Sequence, residues 1–245
     1  MVSPAGWGRR ATLRRGFAFL CLIALVAVPV AAGALGSNPN DPLFPKQWGM
    51  RLVGAPTAWA TGIGQGATIA VVDTGVDLGH PDLAGRLVSG ANFVSPGQAP
   101  QDDCGHGTHV AGIAAADTDN GIGVVGVAPG ASIMPVRVLS NQGGGSCGGS
   151  IDTVAQGIRY AADHGAQVIN LSLGNDLQGL TGTAQTLVDA VEYAWSKGSI
   201  CVLAAGNAGL LGIFGSGYSN QHAIIVTALT PQDAEASYAS PVGSA

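Results

Sequence analysis

Residues 67–72 read Ala-Thr-Ile-Ala-Val-Val and run straight into Asp73-Thr74-Gly75. A short run that is apolar but for one threonine, and that stops at a turn, suits a strand covered on both faces. Four more runs have this character, at 133–139, 167–173, 199–205 and 223–229, each rich in Val and Ile. Between them, 150–164 sets Ile151, Val154, Ile158 and Ala161 on one side of a helix, with Ser150 as N-cap and Gly165 as stop. Residues 183–197 repeat the pattern through Leu187, Val191 and Ala194, closing on Lys197 and Gly198, and 110–116 is a shorter apolar helix-like segment. Strands separated by helical crossovers predict an α/β fold, a doubly wound parallel sheet, with function at the carboxyl ends of its strands.

Composition agrees with a packed domain. Apolar residues make up 47% of the chain and charged ones 10%, which excludes disorder, and the absence of a Gly-X-Y period excludes collagen despite 39 glycines. Aromatics are 5%, so the core is Ala, Val, Ile and Leu packed against Gly. Four of the ten basic residues (Arg9, Arg10, Arg14, Arg15) precede position 16, whereas all 15 acidic residues lie beyond position 40. The remainder is acidic and has no basic face for nucleic acid.

The N-terminal asymmetry has a reading of its own. An uncharged apolar stretch at 17–28 follows the arginines, then Pro29 and the small residues Ala32, Gly33 and Ala34. Residues 1–36 therefore read as a secretory signal peptide and 37–245 as the exported domain, with no membrane association after cleavage. An uncleaved signal anchor is the alternative, and it too leaves the bulk of the chain outside. Arg14-Arg15-Gly16-Phe17 resembles a twin-arginine signal, the other export route open to it. Gly62, Gly64 and Gly66 precede a strand instead of following one, so they read as a surface turn and not as a dinucleotide loop.

Three side chains at strand ends carry chemistry. Asp73 emerges from the first strand; alone it would read as a turn or capping residue. His106 lies in Gly105-His106-Gly107-Thr108-His109, where a lone histidine would read as a cap or a surface residue. The flanking glycines would let a substrate backbone approach the ring. A carboxylate on Nδ1 that leaves the opposite ring nitrogen for a nucleophile is two thirds of a nucleophile-activating triad. Asn207, after Ala204-Ala205-Gly206, reads alone as a turn residue and in this company as an oxyanion donor.

With these residues in place, the sequence resembles the subtilisin-like serine peptidases, the subtilases. The matching segments are AVVDTGVD (70–77), HPDL (80–83), GHGTHVAG (105–112), GVAP (126–129), INLSLG (169–174) and AAGN (204–207), in the family's order. The resemblance implies a secreted, monomeric endopeptidase acting on polypeptides through an acyl-enzyme. Asp73 would orient His106, His106 would be general base and then acid, and Asn207 would stabilise the oxyanion. It further implies that Ser172, Leu173 and Gly174 frame the primary specificity pocket. Gly143, Gly144 and Gly145 match the strand that pairs with the peptide, unless they are simply a flexible loop. Gly215-Ser216-Gly217-Tyr218-Ser219 departs from the family's Tyr-Pro on the far side of that pocket.

The family's nucleophile is the Ser of a Gly-Thr-Ser-Met-Ala motif. None of Ser216, Ser219, Ser237, Ser240 and Ser244 follows a Gly-Thr, so the C-terminal part of the fold and its nucleophile are expected to be missing from these 245 residues. Asn40-Asp41-Pro42, which resembles the start of the mature enzyme, follows the signal so closely that no propeptide fits between. Two readings stay open: a fragment of an active protease, which the joint presence of Asp73, His106 and Asn207 favours, and a secreted pseudoenzyme that binds peptide or calcium. An in-frame Gly-Thr-Ser continuation of the transcript would support the first and a true stop the second.

The resemblance also implies a structural Ca2+ held by the carboxylates of Asp41 and Asp82, the Asn120 side chain and the carbonyls of Asp117, Ile122 and Val124, an all-oxygen set. The alternative is an ordinary acidic surface loop. Outside the signal segment the cysteines are Cys104, Cys147 and Cys201, an odd number. Cys201 lies in an apolar run and should be a buried thiol. In the family's fold the segments holding Cys104 and Cys147 border one cleft, which implies a disulfide between them; two free thiols, or pairing with a cysteine elsewhere, are the alternatives.

Overall fold

The computed structural model describes residues 38–173, 184–207 and 222–239. Residues 1–37, which include the expected signal peptide, Gly174, residues 215–219, Ser240 and Ser244 lie outside them. Two short helices, α1 (Trp48–Leu52) and α2 (Ala55–Ala58), open the domain without a periodic signal in the sequence. They are held by packing: Phe44, Met50, Ala55 and Trp59 bury against Val125, and the Trp59 indole donates to the Val127 carbonyl at 2.8 Å. Gly64 and Gly66, with φ of 88° and 81°, make the turn ahead of the first strand.

That strand, β1 (Thr68–Asp73), is the middle of a six-stranded parallel sheet. On one side the chain adds β2 (Ala91–Asn92), the helix α3 (His106–Ala115) and β3 (Ser132–Arg137), with β3 next to β1. A hairpin of β4 (Ser140–Gly143) and β5 (Ser146–Gly148) follows, and α4 (Ile151–Asp163) carries the chain across. On the other side lie β6 (Val168–Leu171), α5 (Ala184–Ser196), β7 (Ile200–Ala204) and β8 (Ala223–Val226). The order β2-β3-β1-β6-β7-β8 reverses at β1, so the sheet is doubly wound and the crevice beside the end of β1 is where a site belongs.

Capping starts α4 where the sequence says it should. Ser150 Oγ accepts from the Thr153 amide at 3.0 Å while Thr153 Oγ1 accepts from the Ser150 amide at 3.2 Å, and Gly165 ends the helix region at φ 80°. The strands divide their side chains between two layers. Ala70, Val72, Met134 and Val136 point into the core under α4 and α5, whereas Val71 and Ile133 face Ala111 and Ala115 of α3. Coverage of both faces is why these runs show no polar alternation.

The other half departs from that expectation. Ile169, Leu171, Cys201 and Leu203 bury on the α4–α5 side, with Ala223 and Ile225 packed against them. On the opposite face Ile224 and Val226 of β8 are each 49% exposed. Among the described residues the helix on that face is α3, which packs on β1 and β3. Ile224 and Val226 thus form a half-exposed apolar strip on β8 that no described helix covers.

Candidate active site

Asp73 ends β1 with its side chain fully buried, at 0% exposure. Its Oδ1 accepts from the Thr74 amide at 2.7 Å and lies 2.8 Å from Nδ1 of His106, whose side chain is 47% exposed. A carboxylate only accepts, so Nδ1 carries the proton of this contact. The Asp73 carbonyl accepts from the Val138 and Leu139 amides, which pins the strand end to the segment after β3. Oδ2 of Asp73 has no partner among the described residues.

His106 is the first residue of α3, so the helix begins four residues earlier than the apolar pattern indicates. Two features explain the early start. Gly105 adopts a left-handed φ of 88°, and the Asp102 carboxylate reaches back over the first turn to accept from the Thr108 amide at 3.0 Å. Gly107 corrects the sequence reading. Its α-carbon faces the turn after β1, where a Cβ would lie 2.0 Å from the Gly75 carbonyl oxygen and 3.1 Å from Thr74 Oγ1. It is glycine so that α3 can approach β1, not so that a substrate can approach the ring. Nothing lies within 4 Å of a Cβ at Gly105.

A cavity of about 390 Å3 opens beside the imidazole, lined among others by Thr74, Cys104, His106, Gly145, Ser172 and Leu173. Ser172 and Leu173 follow β6, at the same sheet edge as Asp73. Gly143 ends β4 and Gly144 and Gly145 form the hairpin turn, all three left-handed with φ of 85°, 63° and 81°. They make a hairpin tip in place of the extended run expected of them, and Gly145 is the one that lines the cavity. Asn207 follows β7 at the same carboxyl edge and pairs in an isolated antiparallel bridge with Ala239. Ser237 lies in an exposed turn before that bridge.

Cys104 and Cys147 are joined by a disulfide, with Cα atoms 6.4 Å apart, so the loop before His106 is covalently tied to β5. Asp103 adds to the tie. It pairs with Arg137 at 2.6 Å, and its carbonyl accepts from the Asn141 side chain at 3.2 Å. Cys201 is a buried free thiol; burial first, then the nearby Glu192 charge, pushes its pKa up to about 12. Sequence reading missed Thr74, Asp102, Asp103 and Arg137. The one signal available was an acidic residue shortly before an apolar helical run, the pattern of an N-terminal cap.

The acidic loop wraps two buried carboxylates. Asp41 and Asp82 are 2% and 4% exposed, and none of the ion pairs among the described residues involves either. Asp82 accepts from the Asn120 side chain and the Val124 amide, both at 2.9 Å, and Asp41 Oδ2 from the Asp119 amide at 3.0 Å. Asp41 Oδ1 is buried with no partner among the described residues. Burial, with the negative charges of Asp119 and Asp82, raises the Asp41 pKa. Asp117 spends its carboxylate on Arg86 at 2.6 Å, which leaves only its carbonyl for a ligand role, and Ile122 is exposed. Among the described residues no three His, Cys, Asp or Glu side chains group as a metal cluster. An orphaned carboxylate oxygen near a second buried acid nevertheless suits a hard, oxygen-preferring cation.

Residues 64–244 match the Subtilase family. The chain is a subtilase. It is 54% identical over 173 residues to thermitase of Thermoactinomyces vulgaris, an alignment covering 70% of this chain and 59% of that protein. It is 43% identical over 182 residues to subtilisin Savinase of Lederbergia lenta, covering 74% and 63%. Among solved structures, a protease of Pseudoalteromonas arctica superposes with a TM-score of 0.70 at 32% identity, covering 82% of this chain and 69% of that one. The subtilase described here thus spans between about two fifths and three fifths of the length of the curated relatives it matches.

Proposed function

We propose that these residues form the larger part of the catalytic domain of an exported serine endopeptidase. The observation that carries the reading is the 2.8 Å contact between His106 Nδ1 and a fully buried Asp73, opening onto a cavity that Ser172 and Leu173 also line. Asp73 holds the ring with its proton on Nδ1, so the other nitrogen takes the proton of a serine hydroxyl as that oxygen attacks a peptide carbonyl. Negative charge then collects on the carbonyl oxygen, where the Asn207 amide is suited to donate. The same imidazole returns the proton to the leaving amine, and water repeats the sequence to free the acyl group. Asp73 stays ionised throughout and stabilises the imidazolium.

The serine comes from a Gly-Thr-Ser segment continuing beyond Ala245. That continuation would also cover the open face at Ile224 and Val226, which this reading requires to be buried in the active protein. Gly145 with the hairpin β4–β5 on one side, and Ser172, Leu173 and Gly174 on the other, would hold the polypeptide by its backbone. Residues 1–36 act as the export signal, and the mature protein is a secreted monomer. Asp41, Asp82, Asn120 and the carbonyls of Asp117, Ile122 and Val124 would hold a structural Ca2+, whose chemistry is to neutralise two buried carboxylates and rigidify the loop. The test is hydrolysis of an unstructured polypeptide by the complete protein. Activity that disappears in His106→Ala supports the reading, and undiminished hydrolysis in that variant overturns it.

A further inference from the structure

The triad reading leaves one carboxylate without a task. Asp102 stands four residues ahead of His106 and takes part in none of the five ion pairs among the described residues. Its partners are all hydrogen-bond donors. Oδ1 accepts from Thr74 Oγ1 at 2.8 Å and from the Cys104 and Gly105 amides, both at 2.9 Å. Oδ2 accepts from the Thr108 amide at 3.0 Å and from the Thr108 hydroxyl.

These donors come from three separate pieces of chain: the turn after β1, the link before α3, and the first turn of α3. Thr74 extends the reach of the carboxylate, because the hydroxyl that donates to Asp102 also accepts from the Gly107 amide at 2.9 Å. The chain neighbours of both members of the pair are therefore held. Thr74 adjoins Asp73; Gly105 directly, and Gly107 through Thr74, adjoin His106 on either side. The N-cap position, Gly105, has no side chain to satisfy the free amides of the helix start, and Asp102 supplies that acceptor from outside the helix.

We propose that Asp102 is a positioning residue for the Asp73–His106 pair, a clamp that fixes the end of β1 against the first turn of α3. Only an ionised carboxylate does this. It offers lone pairs in two directions, whereas a carboxamide accepts at one atom and turns two N–H groups toward donors. Burial pushes the Asp102 pKa up, but the Thr108 hydroxyl and the Cys104, Gly105 and Thr108 amides outweigh it and hold the group below the ordinary carboxylate value, so the clamp is charged in neutral solution. The disulfide to Cys147 adjoins the same link but fixes it to the hairpin, not to β1. The contact that sets the imidazole on Asp73 thus depends on Asp102 more than on the covalent tie.

The consequence for turnover rests on the peptidase reading; the effect on the His106 ring does not. The experiment compares Asp102→Asn, Thr74→Val and Thr74→Ser with the parent in the complete protein. It reads kcat and KM on a peptide substrate, the downfield Nδ1–H proton resonance of His106, and the circular dichroism of the fold. Because misplacement of a reacting group by about 1 Å costs about 10²-fold, Asp102→Asn is expected to lower kcat by about that factor with KM little changed. The Nδ1–H resonance should shift upfield or broaden into exchange. Thr74→Val should move kcat and resonance the same way, and Thr74→Ser should recover most of that loss. A folded Asp102→Asn variant with parental kcat and parental resonance overturns the proposal, as does a loss confined to KM. If Asp102→Asn fails to fold, parental behaviour of Thr74→Val overturns it instead. A parent protein that hydrolyses nothing refutes the peptidase reading, and the resonance comparison then still decides the role of Asp102.

Discussion

Replacing both members of the Cys104–Cys147 bridge by serine tests how much of the stability around the cleft is covalent. The two cysteines are 43 residues apart, and the loop they close contains the whole of α3, β3 and β4. Treating the bridge as a restriction on the unfolded chain, closing a loop of that length is worth about 4 kcal/mol at room temperature. In the native state little should change. Arg137 still pairs with Asp103 at 2.6 Å, and the Asn141 side chain still donates to the Asp103 carbonyl, so the hairpin keeps its seat beside the loop that precedes His106. The loss is expected almost wholly from the unfolded ensemble, which carries a signature. Urea titration of the complete protein should give a lower midpoint together with a steeper dependence on denaturant, because the unlinked chain exposes more surface. For a domain of this size the loss corresponds to a melting temperature lower by roughly 8–16 °C. A double-serine variant with parental midpoint and slope, or a loss below about 1 kcal/mol, refutes the reasoning.

Calcium at a hundred times its Kd is expected to stabilise the complete protein by about 2.7 kcal/mol, and a melting temperature indifferent to chelator contradicts the site. Without calcium, the raised pKa of Asp41 means that the native state binds this proton more tightly than the unfolded chain; its contribution to stability is full below 3.8 and is lost as pH rises through the folded value. Asp41→Asn should therefore raise the melting temperature in chelator at pH 7 and abolish the gain from calcium, and a variant that still gains fully from calcium removes Asp41 from the ligand set. Cys201, with its thiol pKa pushed up to about 12, should resist a maleimide at pH 8 until the protein unfolds; stoichiometric reaction of the folded protein contradicts its burial. Ile224→Ala should cost about 2 kcal/mol or more in the complete protein and clearly less in the 245-residue chain, where that face is open; equal costs in the two contradict the proposed cover.

How much of this was legible in the sequence follows from where the signals are local. The run at 67–72 is apolar because both of its faces are covered, so β1 and its carboxyl-end Asp73 could be read directly. Ser150 and Gly165 bracket α4 with residue types that act on their own backbone, and that helix also fell where expected. Elements held by distant partners did not. β2 is two residues long and exists only through its register with Val136 and Arg137. α1 and α2 depend on Trp59 burying against Val125. The glycine run at 143–145 hides a hairpin, because left-handed glycines carry no periodicity. In the site, the pairing of Asp73 with His106 could be expected because the segments around them, AVVDTGVD and GHGTHVAG, resemble a family's motifs, and the structure brings the two side chains to 2.8 Å. Asp102 was not, since its role depends on donors gathered from three places by the fold. The glycines beside His106 were read for substrate access, and the packing role of Gly107 emerges only from the fold, where a Cβ added there would lie 2.0 Å from the Gly75 carbonyl oxygen.

Labelling with a serine-directed phosphonate, followed by peptide mapping, tests whether Asp73 and His106 are the orienting acid and base of a serine peptidase whose nucleophile lies past Ala245. One modified serine is expected in the complete protein, in a Gly-Thr-Ser segment beyond Ala245. That labelling should be lost in His106→Ala and absent from the 245-residue chain. Stoichiometric labelling of the 245-residue chain, or no labelling of the complete protein, would contradict it.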